Sequence, residues 1–401
     1  MAPRDPARFQ AGRGLVLRTE GRRALQAPAR KLPGRGHPFA GRARAPQPQG
    51  PAAPGHRQDL QRRRDPGLVQ GAGTEERRPA SGCHRPARGY KPRRRGSDGR
   101  TDRPGRVSLR LQLLQVARLA PRLLGDSTDL VREFYRRQFN ADGAAGDRGG
   151  KPDLYYTIFA LAGAQALDVP IPADATAAWL ETHGDGDALD FVHLGALARC
   201  WAALGPERLP PGRAESLLAR IESFRKPDGG YEGDPRLGHG TAYGAFVALG
   251  AYQDLGRTPP GVLELIRSLK RLETPDNAWS NAPGLPTGSL NATAGAVTLI
   301  RHLGFPVNPA VGDWLMAQHH PNGGFLAVPG APLPDLLSTA TALHALACLE
   351  RRIPSGVHER CLDFIDTLWS ADGGFHGHWA DDHLDAEYTF YGLLALGHLS
   401  L

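Results

Sequence analysis

The chain has 401 residues, 22% of them charged and 40% apolar, with 50 Gly, 35 Pro and four Cys. That length can bury a sizeable core, and four scattered cysteines with no Cys-x-x-Cys pair exclude a disulfide-stapled scaffold and a cysteine zinc finger. No apolar run reaches the roughly 18 residues a membrane-spanning helix needs, and no apolar stretch at the N-terminus reads as a secretory signal, so a cytoplasmic protein is expected.

The net charge of +8 conceals two unlike regions. Residues 1–106 hold 26 of the 49 Lys and Arg against 8 Asp and Glu, whereas residues 107–401 hold 23 against 33. The first region is rich in Arg, Pro, Gly and Ala and shows no helical or strand period, so a disordered basic arm is expected. Runs such as Arg62-Arg63-Arg64 and Arg93-Arg94-Arg95 suit phosphate neutralisation, but only Phe9, Phe39 and Tyr90 are there to stack on bases, which argues against nucleic acid as partner. Patternless sequence of this composition is also what GC-rich coding DNA yields from a wrong start, and the functional protein is expected to begin near Val107.

From there on the chain is a repeat. Asp228-Gly-Gly-Tyr231, Asp276-Asn-Ala-Trp279, Asn322-Gly-Gly-Phe325 and Asp372-Gly-Gly-Phe375 place an aromatic at spacings of 48, 46 and 50 residues, with a weaker copy at Ala141–Ala145. In chain order, segments of small and apolar residues are expected as buried helices near 108–121, 154–167, 191–204, 240–255, 290–303, 336–350 and 386–400. Between them lie amphipathic stretches with one polar face, at Leu217–Phe224, Val262–Leu272, Val311–Gln318 and Cys361–Trp369. Both kinds carry apolar residues at helical spacing, and no stretch alternates at period two over strand length. Stacked helical hairpins follow, and about six would close an all-α, α/α toroid with inner helices around a central cavity. An open superhelix is the rival architecture.

The segment Gly312–Phe325, with Trp314, Gln318 and the Gly323-Gly324 turn, resembles the QW repeat of terpenoid cyclases and protein prenyltransferase β subunits. Gly323–Leu346 and Gly373–Leu396 resemble the β-subunit units that carry the zinc ligands. The resemblance implies an α/α toroid over about 150–401 and an isoprenoid, or another long apolar molecule, in its cavity. It also implies a transferase or related enzyme that works beside a helical protein partner. In the family, zinc held by Asp, Cys and His delivers a thiolate. Of those positions this chain keeps Asp335 and has Leu337 and Tyr388 at the other two, so one ligand of three remains. The proton-donor position of squalene-hopene-type cyclases also falls on Leu337.

The polar residues left for a site cluster at the entrances of the last two buried segments. Asp335, Asp385, Glu387 and Tyr388 are the catalytic candidates, with Tyr388 as a proton donor or carboxylates holding Mg²⁺ with a diphosphate. His376, His378, Asp381 and Asp335 are the candidates for a divalent metal, zinc or magnesium. The competing reading makes Asp335, Asp385 and Asp153 helix N-caps, and packs His344 and Cys348 in the core. A non-catalytic lipid-binding or scaffold toroid is the alternative function. A glycosidase, which needs two carboxylates across a cleft, is a third.

Overall fold

The structure, a computed structural model, describes residues 107–401, and the expected disordered arm of 1–106 lies outside the described residues. In chain order the helices are α1 (Leu109–Ala117), α2 (Pro121–Leu124), α3 (Thr128–Arg136), α4 (Leu154–Ala166), α5 (Ala173–Glu181), α6 (Phe191–Leu204) and α7 (Arg213–Glu222). They continue as α8 (Ala242–Asp254), α9 (Val262–Lys270), α10 (Leu290–His302), α11 (Ala310–Ala317), α12 (Leu336–Cys348), α13 (Ser355–Thr367) and α14 (Ala386–Leu399). The residue pairs β1 (Glu273–Thr274) and β2 (Ala278–Trp279) form a small antiparallel ladder.

Six of these helices start alike. The side chains of Asp153, Asp190, Thr241, Asp335 and Asp385 each accept a hydrogen bond from the amide three residues on, capping α4, α6, α8, α12 and α14. Ser289 precedes α10 in the same extended conformation. Four residues past the cap, a buried threonine recurs in four of the six. Thr157, Thr293, Thr339 and Thr389 accept the amides of Ala145, Trp279, Phe325 and Phe375 at 2.8 to 3.2 Å. These are the last residues of the repeated turns, so each threonine locks a turn onto the helix that follows it.

The turns do the same for the preceding helix. Short antiparallel bridges pair Phe139 with Ala145, Arg225 with Tyr231, His319 with Phe325 and Trp369 with Phe375, and the β1–β2 ladder holds the equivalent place. Gly373 shows why the pattern wants glycine. Its φ is +88°, and a Cβ there would lie 2.1 Å from the backbone oxygen of Leu130 in α3. In the divergent copy, Asn277 takes the left-handed conformation with φ of 64°, a residue type that tolerates it better than most.

α4, α6, α8, α10, α12 and α14 pack each on the next, and α14 packs back on α4. The ring is therefore closed, with α3, α5, α7, α9, α11 and α13 outside it. All six run in one direction. Their N-terminal ends meet through bonds such as Leu290 N to Ala327 O and Leu336 N to Gly377 O (both 2.8 Å), and their C-terminal ends through Arg301 to Cys348 O and His344 to His398.

The segment expected at 108–121 as a further inner helix is not one. Six helices already close the ring, and α1 instead touches α8, α14 and α4. At one end the Ser108 hydroxyl and Leu109 amide bond Asp254 and Gln253 at the C-terminus of α8, while Val116 lies against Gly397 near the end of α14. Because α8 and α14 sit on opposite sides of the ring, α1 crosses its C-terminal end and plugs it.

Candidate active site

An α-helix brings positions four apart to one face. On the inner helices the second and sixth residues face inward, and they are Tyr155 and Phe159, Val192 and Ala196, Tyr243 and Val247, Asn291 and Gly295, Leu337 and Thr341, Glu387 and Tyr391. Tyr243 marks unfilled space inside the ring. It is 47% exposed, yet burial pushes its hydroxyl up to about 12, a combination that suits a side chain in a narrow water-accessible cavity. The mouth is at the N-terminal end, since α1 covers the other.

Glu387 is the one carboxylate among those twelve inward positions. It is 8% exposed, and the Tyr155 hydroxyl donates to its Oε1 at 2.6 Å. Burial pushes its pKa up to about 7, against the Tyr155 hydrogen bond, which favours the ionised form. Phe159 lies edge-on to Tyr155 and against Tyr391, with centroids 5.1 and 5.5 Å apart, so aromatic rings flank the acid.

Next to it, at the rim, sits a second group. Arg148, from the turn before α4, donates through Nε to Asp385 Oδ2 at 2.8 Å. Its terminal nitrogens fork onto both oxygens of Asp381 at 3.1 and 2.8 Å. Burial works against the guanidinium's charge, but the two carboxylates outweigh it and hold its pKa above the ordinary value. The Asp381 carboxyl is held below its usual range by Arg148 in spite of its own burial, whereas burial keeps that of Asp385 raised. Arg148 also lies over the Tyr388 ring, 5.5 Å from its centroid. Sequence reasoning missed Arg148 and the role of Tyr155, because their partners are 232 to 237 residues away.

The residues expected at the site divide accordingly. Glu387 faces the cavity. Asp385 caps α14 and binds Arg148, and Tyr388 lies within the rim, its ring packed on Gly377. Asp335 caps α12, where its two oxygens take the amide and hydroxyl of Ser338 at 2.7 Å, and burial raises its pKa. The expected metal group is not assembled. His376 Nδ1 faces the backbone oxygen of His383 at 3.1 Å, His378 Nδ1 accepts from the Ala380 amide, and Asp381 is committed to Arg148. Among the described residues no three His, Cys, Asp or Glu side chains form a group able to hold a metal ion. The zinc of the resembled family does not fit the set Asp335, Leu337 and Tyr388, which offers one ligand of the usual kind. The Gln318 amide donates to Trp314 O at 3.1 Å, and the Trp314 indole reaches back to Asp276 at 2.8 Å, tying α11 to the preceding turn.

A closed helical ring with one open mouth and an acid inside defines the chain as an α/α-toroid protein. Residues 293–399 match the prenyltransferase alpha-alpha toroid domain family. Among solved structures, the type II terpene cyclase MstE from Scytonema is similar at 13% identity and a TM-score of 0.46, over 72% of this chain and 98% of that one. The protein geranylgeranyltransferase-I of Candida albicans is similar at 14% and 0.38, over 72% and 82%, and a glycosidase at 14% and 0.41, over 72% and 97%. No curated protein matches the sequence. None of these likenesses sets an activity. No helix among the described residues is long and apolar enough to cross a membrane.

Proposed function

We propose that the protein is an isoprenoid-processing enzyme related to the prenyltransferases and terpenoid cyclases, in which the ring's interior takes the apolar chain and Glu387 serves as general acid and base. The observation that carries this reading is the Glu387–Tyr155 pair, a cavity-facing carboxyl with a pKa near 7 that can give and take a proton at neutral pH. Tyr155 orients the carboxyl, and the rings of Phe159, Tyr243 and Tyr391 present aromatic faces to the chain. In this reading Asp385 and Asp381 act by holding Arg148, and Asp335 and Tyr388 shape the rim. The family match over 293–399 and the apolar wall of Gly295, Leu337 and Ala196 support the substrate class. That wall, and the broken zinc set, equally favour a second reading, a lipid-binding toroid without catalysis.

Incubating the full chain with isoprenoid alcohols and diphosphates in D₂O separates the two. Catalysis through Glu387 transfers solvent deuterium to carbon, with an activity limb near pH 7, and Glu387→Gln lowers the rate at least about 100-fold. Stoichiometric binding with no deuterium transfer and no product across the panel would leave the lipid-binding reading in its place.

A further inference from the structure

At the plugged end of the ring two arginines share one carboxylate among the described residues. The inward face of α6 runs from Val192 and Ala196 to Arg199, seven residues deeper than Val192 and thus about 10 Å further in. The Arg199 guanidinium stands beside Asp254, which binds the start of the plug helix, so it sits at the closed end of the ring. From there its charge is felt, after burial and the larger influence of Glu387, at the hydroxyls of Tyr243 and Tyr391 on opposite walls. The Arg199 side chain is 23% exposed although it lies inside the ring.

Its single ionic partner among the described residues is shared. Asp254, 1% exposed at the end of α8, stands 3.5 Å from Arg199 Nε and 3.5 Å from Arg110 Nε of the plug helix. Arg110 is otherwise placed, its terminal nitrogens on Gln165 Oε1 and Ala202 O at 3.4 Å. Arg199 Nε, Arg110 Nε and Asp254 Oδ2 are all buried without a hydrogen bond, so this cluster is held by charge alone. Two guanidinium groups thus face one carboxylate, and the positions equivalent to Arg199 on the other inner helices are Ala162, Gly250, Thr298, His344 and Leu394, none of them an acid. Buried charge without compensation is costly, and a cation left in that state at the end of an apolar cavity is a ready partner for an anion.

We propose that Arg199 is the centre of an anion subsite at the closed end of the cavity, which takes the carboxylate or phosphate of an amphipathic isoprenoid that enters head first. The chain then extends back toward Glu387 near the mouth. This inference rests on the reading of the ring's interior as the substrate cavity.

Calorimetric titration of the full chain with geranic acid, geranyl phosphate and geraniol tests it. At least one of the two anions should bind 10-fold or more tightly than the alcohol, and which of them does so identifies the head group. Arg199→Met should erase that advantage while geraniol binds as before, and Arg199→Lys should retain part of it. Equal binding of anions and alcohol by the unaltered chain overturns the subsite and leaves the cavity standing, a result that needs no variant to fold. A loss of all three ligands in a folded Arg199→Met protein makes the residue structural and overturns it too. If none of the three binds the unaltered chain, the cavity reading itself falls, and the subsite with it.

Discussion

The two sides of the ring are built differently. Between α10 and α12 the inward residues are Asn291, Gly295, Leu337 and Thr341, uncharged throughout; the Thr341 hydroxyl lies 2.8 Å from Leu337 O within α12 and 3.0 Å from Asn291 Oδ1, the one polar tie across this wall. Between α14 and α4, where the last repeat meets the first, lie Glu387 with Tyr155 and the Arg148 fork to Asp381 and Asp385. The seam has further ties. Tyr135 of α3 is fully buried, donates to Ala386 O at 3.3 Å and fits only because residue 163 is Gly. Every other neighbouring pair of inner helices is joined by a connecting outer helix, so packing there follows from chain continuity. The closing pair has no such connection and must be specified by side chains. In this protein the specifying groups and the acid inside the cavity occupy the same place.

Cutting the ionic tie should therefore cost far more than cutting the polar tie of the opposite wall. Arg148→Met leaves two carboxylates, 7% and 5% exposed, without their cation. Breaking a buried pair in this way costs about 3–5 kcal/mol, whereas Thr341→Val should cost about 1 kcal/mol for one hydrogen bond. Urea unfolding of both variants measures the contrast. Equal losses would mean that the seam is held by Tyr135 and helix packing, with Arg148 a spectator. Changing Arg148 and Asp381 to apolar residues and Asp385 to Asn, which keeps the α14 cap, should recover most of the lost stability, because it removes the stranded charges along with their partner.

How much of this was legible in the sequence follows the same division. The inner helices announce themselves locally: a cap residue, then thirteen or so residues with hardly a charge, and the expected spans 154–167, 191–204, 290–303 and 386–400 fall within a residue of those found. α1 has the same composition, and its place across the ring's end was hidden because it depends on a count of helices in space. Asp385 and Glu387 stood out as a cluster, but their roles depend on Arg148 and Tyr155 from the far end of the chain. The turn Gly146–Gly150 gave no signal of its own, since an arginine between glycines reads as ordinary loop. Arg199, in an otherwise apolar helix, was the one available clue to the closed end, and only the direction of the helix face gives it meaning.

Stability against pH should sharpen the comparison next. The Glu387 carboxyl has an ordinary value of 4.5 and is pushed up to about 7 in the fold, by burial. Between those values the unfolded chain has given up a proton that the folded chain keeps, so stability attributable to this group falls as pH rises through that window and levels off above it. Glu387→Gln removes the dependence. Relative to the unaltered chain, the variant should gain of order 3 kcal/mol between pH 4.5 and pH 8, since each unit is worth about 1.4 kcal/mol. A stability difference that stays flat over that range would show a carboxyl with an ordinary pKa, and the acid–base role would lose its footing.

The smallest expected change tests whether the seam tunes the acid or merely houses it. The Tyr155 hydroxyl at 2.6 Å stabilises the ionised carboxylate and so restrains the upward shift that burial imposes. Tyr155→Phe removes the donor and keeps the ring that packs against Phe159. The Glu387 pKa should therefore rise further, by the order of one unit if the bond is worth about 1.5 kcal/mol, and the carboxyl carbon in a ¹³C-glutamate spectrum reports it directly. Thr341→Val, on the far wall, should leave that resonance where it was. If both variants move it alike, the carboxyl responds to the whole cavity's hydration rather than to its partner, and the distinction between the two walls would be one of packing only.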